Sequence, residues 1–121
     1  MPTRKPWAPD RQDVIWIDCN PQAGREMKDM HLLPVLSPLA FNSRTGIVIG
    51  LPMTTATYNE TNSFTIKFLG LKGVASYILT HLPESFDWKM RRAKAHPMKR
   101  IPDEIFSMAC DALNQIILIG P

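Results

Sequence analysis

The sequence predicts an α+β, mainly β protein: a small antiparallel β-barrel or curled sheet with one helix packed on it at the C-terminal end. Several short segments rich in β-branched and aromatic residues are separated by turn signals, which is typical of such a sheet. The clearest segment is 63–69, where Phe64, Ile66 and Phe68 alternate with more polar residues and so share one face of a half-buried strand. The C-terminal segment instead has apolar residues at helical spacing.

The strands are justified by composition and by the turn residues between them. Strands are predicted over residues 14–19, 32–37, 46–53, 63–69 and 74–80, and residues 85–94 are a strand or a helical turn. Between them, residues 22–30 and 54–62 are polar and are predicted to be loops, and residues 38–45 a turn or short hairpin connection.

The C-terminal helix has clear start and stop signals. Pro102 suits a first helical turn, and the acidic Asp103 and Glu104 suit the positive end of the helix dipole. Apolar residues then recur at i, i+3, i+4 and i+7, and Gly120 ends the helix.

Length and composition indicate one globular domain. The 121 residues are 45% hydrophobic and 21% charged, which argues against a disordered chain. Residues 1–10 are Pro-rich and charged and are predicted to be a flexible N-terminal arm, with a single domain over residues 11–121. The longest apolar run, residues 116–119, is far short of the roughly 18 residues that a membrane span needs. No signal peptide is visible, so a cytoplasmic protein without a membrane partner is expected.

Metal and disulfide chemistry are not expected. Cys19 and Cys110 are too few for a four-cysteine zinc site and lack CxxC spacing. The histidines at positions 31, 81 and 96 do not share a helical face. Neither a Gly-rich phosphate loop nor a Gly-x-Ser-x-Gly elbow is present. We therefore expect no metal and no cofactor.

Three features rise above this background, and each has an ordinary structural alternative. Residues 24–31 place two cations, two anions and a histidine in one loop, which is often simply a solvated loop. Thr54 and Thr55 directly follow a strand, as many loops begin. Six basic residues within 89–100, beside Trp88, suit phosphates and stacked bases, or form a solvated edge that prevents sheet-to-sheet aggregation.

Taken together, the motifs resemble those of the MazF/PemK (Kid) family of toxin endoribonucleases. They occur in the family's order along residues 11–120: Asp-Val-Ile-Trp-Ile-Asp-Cys-Asn-Pro (13–21), Gly-Arg-Glu (24–26), Pro-Val-Leu-Ser-Pro (34–38), Phe-Asn (41–42), Thr-Gly (45–46), Pro-Met-Thr-Thr (52–55) and Ser-Phe-Asp-Trp-Lys-Met-Arg-Arg-Ala-Lys (85–94). The resemblance implies a barrel of the Src-homology-three-like kind, as in the plasmid-maintenance toxins, and a homodimer that an antitoxin similar to MazE neutralises. It also implies metal-independent cleavage of single-stranded RNA, leaving a 2′,3′-cyclic phosphate and a 5′-hydroxyl.

The resemblance also implies site residues, with one departure. Glu26 and Thr54 match the family's catalytic glutamate and threonine, but His31 occupies the position of its arginine. The nearby Lys28 keeps its charge at neutral pH, whereas an imidazole is mostly neutral there, so we favour Lys28 as the cation and His31 as an assisting residue. The segment His-Leu-Pro-Glu (81–84) also replaces the family's Asp-Gln-Val-Lys, so the recognised RNA sequence is not transferable.

Further residues are assigned to RNA contact by the same resemblance. Asn42 either holds its loop or contacts a base, and Trp16 is either core or part of an RNA or partner surface. The full set is Arg25, Trp16, Asn42, Thr55, Arg91, Arg92 and Lys94. An acidic antitoxin segment would compete for the same basic residues.

Three functions remain open from the sequence. The first is a sequence-specific endoribonuclease toxin that cuts mRNA, inhibits translation and arrests growth. The alternative is a catalytically weak RNA- or antitoxin-binding regulatory module, which would form tight complexes and leave RNA intact. A toxin acting on DNA gyrase shares the fold and would stall replication, but the loop and threonine motifs favour RNA.

Overall fold

A computed structural model of the chain describes residues 6–19 and 30–119. Within those residues are eight β-strands, two α-helices and two 3₁₀ turns. The strands are β1 (Asp13–Asp18), β2 (Met30–Pro34), β3 (Ile47–Gly50), β4 (Met53–Thr54), β5 (Thr65–Leu69), β6 (Ala75–Leu79), β7 (Glu84–Asp87) and β8 (Lys94–Arg100). The helices are α1 (Leu39–Thr45) and α2 (Asp103–Ile116), and the 3₁₀ turns span Thr57–Thr61 and Leu71–Gly73.

Six strands form a curled antiparallel sheet in the order β5-β6-β4-β2-β1-β8, and β3 pairs with β7 in a second, two-stranded sheet. An isolated bridge between Val35, which follows β2, and Gly50 of β3 joins the two sheets. A Cβ atom at Gly50 would lie 2.5 Å from the carbonyl oxygen of Pro34, so only glycine allows the two backbones to approach this closely.

The large sheet has a hydrophobic cluster on each face because its strands alternate inward and outward side chains. One cluster includes Val14, Met53 and Ile78 and is covered by Phe106 and Ala109 of α2. The other includes Ile15, Ile17 and Leu33 together with Val48 of β3 and Trp88. The mainly β architecture with a C-terminal helix, predicted from the sequence, is confirmed.

The segment 38–45 is a helix, so the prediction of a turn or hairpin there is wrong. Pro38 precedes the first turn, and Gly46 ends the helix with φ of 74°, a left-handed conformation that glycine adopts easily. The side chain of Asn42 is fully buried beneath α1 and secures the helix to its surroundings. The following strand, predicted as continuous over 46–53, is divided into β3 and β4 at Leu51 and Pro52.

Strand β8 was not predicted, because its sequence is basic and contains Pro97. It lies at the edge of the large sheet, where a proline without an N–H is tolerated. The basic residues Lys94, Lys99 and Arg100 therefore lie on an edge strand, as the solvated-edge alternative predicts.

Helix α2 begins one residue after Pro102, as predicted, and ends at Ile116; Gly120, the predicted stop, lies outside the described residues. Among residues 6–19 and 30–119, neither helix has the length and hydrophobicity to cross a membrane. Residues 6–10, assigned from sequence to a flexible arm, contact the domain: Pro9 is buried, and Trp7 lies edge-on to Trp88 with ring centroids 5.8 Å apart.

Candidate active site

A row of polar side chains crosses the large sheet beside Thr54. Thr54 of β4 pairs with Tyr77 of β6, which pairs with Lys67 of β5. On the other side of β4, Leu32 of β2 pairs with Met53. Because β2 and β4 are antiparallel, the residue before Leu32, His31, lies opposite the residue after Met53, Thr54. Residues directly opposite each other share a face, so these four side chains form one row on the face away from α2.

The hydroxyl of Thr54 is oriented by the backbone that follows it. Its Oγ1 accepts a hydrogen bond of 3.1 Å from the N–H of Ala56. The carbonyl oxygen of Ala56 accepts in turn from the backbone and side-chain amides of Asn59, at 3.2 and 3.0 Å. Among the described residues, no acceptor takes the proton of the Thr54 hydroxyl, so this proton is available for a ligand, and Thr54 is half-buried rather than enclosed.

Glu60, in the segment after Thr54, contacts two side chains of the row, those of Tyr77 and Lys67. Its Oε2 accepts a 2.6 Å hydrogen bond from the hydroxyl of Tyr77, and its Oε1 lies 2.8 Å from the ammonium of Lys67. Strands β5 and β6 thereby hold the 3₁₀ turn that contains Glu60. We call the cluster of Glu60, Tyr77 and Lys67 the clamp. It holds the chain that follows Thr54, and the pairing of Thr54 with Tyr77 holds strand β4 itself.

The charges in the clamp stabilise one another. The hydrogen bond from Lys67, and then that from Tyr77, lowers the pKa of Glu60 below its usual value. The hydrogen bond to Glu60 raises the pKa of Lys67 and of Tyr77. At neutral pH the cluster is therefore a carboxylate, an ammonium and a neutral phenol. In the described residues, no group of three His, Cys, Asp or Glu side chains is arranged to hold a metal ion.

Trp16 and Lys94 lie on the opposite face of the sheet from His31 and Thr54. They pair directly across β1 and β8, and Trp16 is half-buried against His96, with ring centroids 5.0 Å apart. Burial lowers the pKa of His96, and its Nδ1 accepts the N–H of Met98 at 3.0 Å, which also requires an unprotonated nitrogen. The structure therefore separates Trp16 and Lys94 from the Thr54 row.

Arg91 and Arg92 occupy the turn between β7 and β8. The carbonyl oxygen of Arg91 accepts the N–H of Asp18 at 2.9 Å, which attaches this turn to the end of β1. Arg92 is exposed and has a φ of 53°, and Thr55 is exposed next to Thr54. These positions leave Arg92 and Thr55 accessible to a ligand.

The side chain of Asn42 has no exposed surface, which favours the loop-holding role over contact with a base. Its amide donates to the carbonyl oxygens of Pro9 and Ser37 at 2.7 and 2.9 Å, and its Oδ1 accepts from the hydroxyl of Ser37 at 2.5 Å. A base edge has no access to these groups. The remaining predicted residues, Arg25, Glu26 and Lys28, lie outside the described residues.

Sequence reasoning missed Tyr77, Glu60 and Lys67. Tyr77 lies in the largely apolar strand β6, and it is almost fully buried, at 2% exposure. The one available signal is that Glu60 is the sole acid in the polar stretch 54–62. Its partners depend on which strands are neighbours, which period-two alternation does not reveal.

Comparisons with known proteins give the fold and the family of the chain. The chain is similar to the Endoribonuclease toxin MazF of Escherichia coli K12 and to Endoribonuclease MazF of E. coli O157:H7, each 31% identical over 87 residues, or 72% of this chain and 76% of the relative. Among solved structures, MazF of Deinococcus radiodurans superposes with a TM-score of 0.81 at 26% identity, covering 94% of this chain and all of the other. A MazE–MazF structure from the same organism gives 0.79 at 25% identity, with the same coverage.

A family model is also matched, that of the PemK-like, MazF-like toxin of type II toxin–antitoxin systems, over residues 10–117. This match spans β1 to α2 and includes both Thr54 and the basic turn before β8. The resemblance read from the order of the sequence motifs is confirmed: the chain belongs to the PemK-like, MazF-like toxin family of type II toxin–antitoxin systems.

Proposed function

We propose that this protein is a toxin endoribonuclease that cleaves single-stranded RNA, including mRNA, and thereby inhibits translation and growth in the cytoplasm. The observation that supports this most directly is the hydrogen bonding of Thr54: its oxygen accepts the N–H of Ala56, and no acceptor among the described residues takes its proton, which leaves that proton free to be donated to a ligand. Such a fixed donor suits a non-bridging oxygen of a phosphate whose negative charge grows during reaction.

The proposed reaction is transesterification followed by release. The 2′-hydroxyl oxygen of one nucleotide attacks the adjacent phosphorus and loses its proton to a base. The bond from phosphorus to the 5′-oxygen of the next nucleotide breaks, and that oxygen receives a proton. The products are a 2′,3′-cyclic phosphate and a 5′-hydroxyl, and no metal ion is required.

Within this reaction, Thr54 donates to the phosphate and Lys28 supplies the positive charge that offsets its developing negative charge. Glu26 and His31 transfer protons to and from the oxygens. His31 suits this role because it is half-buried, and the continued β2–β4 register sets it opposite Thr54.

An antitoxin similar to MazE is the proposed partner, since a relative of this chain was solved as a MazE–MazF complex. We propose that the toxin is a homodimer and that an acidic segment of the antitoxin occupies its RNA-binding surface. The chain has a net charge of +3, and its exposed Arg92 suits either polyanion.

A second candidate is a catalytically weak RNA- or antitoxin-binding module. It is favoured by one specific observation: the position of the family's arginine is occupied by His31, which cannot form a bidentate contact with phosphate. Such a protein would bind RNA and leave it intact.

The test is cleavage of a long, weakly structured RNA in the presence of EDTA. We expect cuts at a short recurring sequence, with 5′-hydroxyl ends that polynucleotide kinase can label. Thr54→Val must reduce the same cuts by about 100-fold or more, which excludes a contaminating nuclease. Intact RNA with the wild-type protein would reject the nuclease in favour of the binding module.

A further inference from the structure

We propose that a pocket formed by Trp7, Trp88 and Lys89 binds one nucleotide of single-stranded RNA, with the base stacked on Trp7 and its phosphate at Lys89. The pocket is a cavity of about 330 Å³ between residues 6–8, helix α1 and the start of the turn after β7. This inference rests on the proposed function for its substrate, but none of these residues belongs to the Thr54 row.

Trp88 forms a rigid wall of the pocket. Its side chain is only 7% exposed, and its indole N–H donates a 2.8 Å hydrogen bond to the carbonyl oxygen of Asn42. Its backbone N–H donates to the carbonyl oxygen of Gly46 at 3.1 Å. Since both polar groups are bonded inside the protein, the ring cannot turn away when a ligand enters.

Trp7 forms the solvent-exposed wall of the pocket. It meets Trp88 edge-on, at an interplanar angle of 86°, and remains 43% exposed. Because the two rings are perpendicular, Trp88 does not stack on Trp7, and a face of the Trp7 indole remains accessible. A large exposed indole face is the surface on which bases of single-stranded RNA stack, and every base offers the complementary flat face.

The rim of the pocket has the polar groups that a nucleotide requires. The ammonium of Lys89 lies 5.4 Å from the centre of the Trp88 ring, which holds the charge at the mouth of the cavity. Ser43 also lines the pocket; its hydroxyl proton is directed to the carbonyl oxygen of Leu39 at 2.9 Å, so its oxygen remains an acceptor for an amino group of a base. The exposed Arg92 follows in the same turn and suits a neighbouring phosphate.

A ligand with a flat aromatic ring and an adjacent negative charge matches all of these groups. The apolar walls hold the ring, and the lysine at the rim offsets the charge. A purely aliphatic ligand would use neither the aromatic face of Trp7 nor the charge of the exposed Lys89. We therefore assign the pocket to one nucleotide of the bound single-stranded RNA.

The experiment measures binding of a fluorescent 2′-O-methyl RNA of about ten nucleotides, a length within the range that small single-strand-binding domains cover. Because this RNA lacks the 2′-hydroxyl nucleophile, it stays intact, and binding is separated from cleavage. The matched pair is Trp7→Tyr, which keeps an aromatic face, and Trp7→Leu, which keeps only apolar volume. Thermal melts confirm that both variants fold.

We expect Trp7→Leu to weaken binding roughly 5- to 100-fold and Trp7→Tyr to weaken it by no more than about threefold, since base stacking needs the aromatic face. Lys89→Gln is expected to reduce the slope of log Kd against log salt concentration by about 0.7, the value for one phosphate contact on a single strand. Equal binding by Trp7→Leu and wild type would overturn the proposal. So would a failure of the wild type to bind this RNA.

Two further outcomes separate the hypotheses. If the wild type binds the 2′-O-methyl RNA through Trp7 but leaves ordinary RNA uncut, the nuclease proposal fails and the pocket stands. If Trp7→Leu binds RNA normally but loses affinity for an acidic peptide, the pocket is a docking site for an antitoxin segment, and our assignment is wrong.

Discussion

The hydroxyl of Tyr77 donates a 2.6 Å hydrogen bond to Oε2 of Glu60, joining strand β6 to the 3₁₀ turn that follows Thr54. Tyr77 is also the cross-strand partner of Thr54. The same residue therefore supports the candidate catalytic threonine twice, once through the β-ladder and once through the loop. This relationship makes Glu60 a positioning residue, whose effect on RNA cleavage would be exerted through Thr54.

Removing the Glu60 carboxylate is expected to disturb that positioning. We predict that Glu60→Gln lowers the kcat of RNA cleavage about tenfold, since small misplacements of a reacting group are costly, with little change in KM. Asp111→Asn, which removes an exposed carboxylate from α2, is the control and should leave kcat unchanged. An equal loss in both variants would contradict a positioning role.

The same variant tests the pH dependence of the clamp. The pKa of Glu60 is lowered from its ordinary value of 4.5, chiefly by the hydrogen bond from Lys67, so its stabilising effect is complete above pH 4.5. It is lost as the pH falls through the lowered pKa. The Tm difference between wild type and Glu60→Gln should therefore be constant at neutral pH and shrink in acid; a difference that grows in acid would contradict this.

The Thr54 hydroxyl is expected to act on the transition state rather than on binding. Thr54→Val keeps the shape of the side chain and removes the donor, so we predict a loss of cleavage on the order of 10²- to 10³-fold. Affinity for 2′-O-methyl RNA should change by less than about twofold, because that contact strengthens only as charge develops. Thr61→Val, at the exposed end of the 3₁₀ turn, is the control.

The cation of the site is tested by a rescue experiment. We predict that Lys28→Ala reduces cleavage about 100-fold and His31→Ala about tenfold, since charge stabilisation is usually the larger contribution. His31→Arg introduced into Lys28→Ala should restore activity, because it places a permanent cation on β2 beside Thr54. A more severe loss in His31→Ala than in Lys28→Ala would move the main role to the imidazole.

The buried side chain of Asn42 is expected to stabilise the folded protein. Asn42→Ala removes two donated hydrogen bonds and leaves the buried carbonyl oxygens of Pro9 and Ser37 unpaired, at a cost of about 2–4 kcal/mol in the free energy of unfolding. Urea denaturation measures this value. Asn114→Ala, on the exposed side of α2, should change it by less than about 0.5 kcal/mol. Similar values for the two variants would contradict the structural role.

The two thiols are expected to differ in reactivity. Burial, chiefly, raises the pKa of Cys19 to about 11, so at pH 8 only about one molecule in a thousand has the thiolate that reacts. Cys110 is half-buried, with the guanidinium of Arg11 at 3.7 Å from its sulfur. Ellman's reagent should therefore modify one thiol rapidly in the native protein and two after denaturation. Rapid reaction of both thiols in the native state would contradict the burial of Cys19.

The sequence by itself determined the mainly β fold class with its C-terminal helix, and the family. The alternation around Phe68 and the apolar stripe of α2 follow from local backbone geometry, because a strand repeats every two residues and a helix every 3.6. The family was recognised from motifs such as Asp-Trp-Lys (87–89), whose order along the chain does not depend on how the chain folds. Both signals can therefore be recognised in the sequence alone.

Only the tertiary structure decided which residues accompany Thr54. Alternation tells which face a side chain occupies, but not which strand lies beside it, and strand pairing depends on contacts between distant parts of the chain. Tyr77 and Glu60 became partners of Thr54 because β6 pairs with β4 and the 3₁₀ turn returns over that pair. For the same reason Trp16 and Lys94, which were assigned from sequence to RNA contact, lie on the face of the sheet opposite to Thr54.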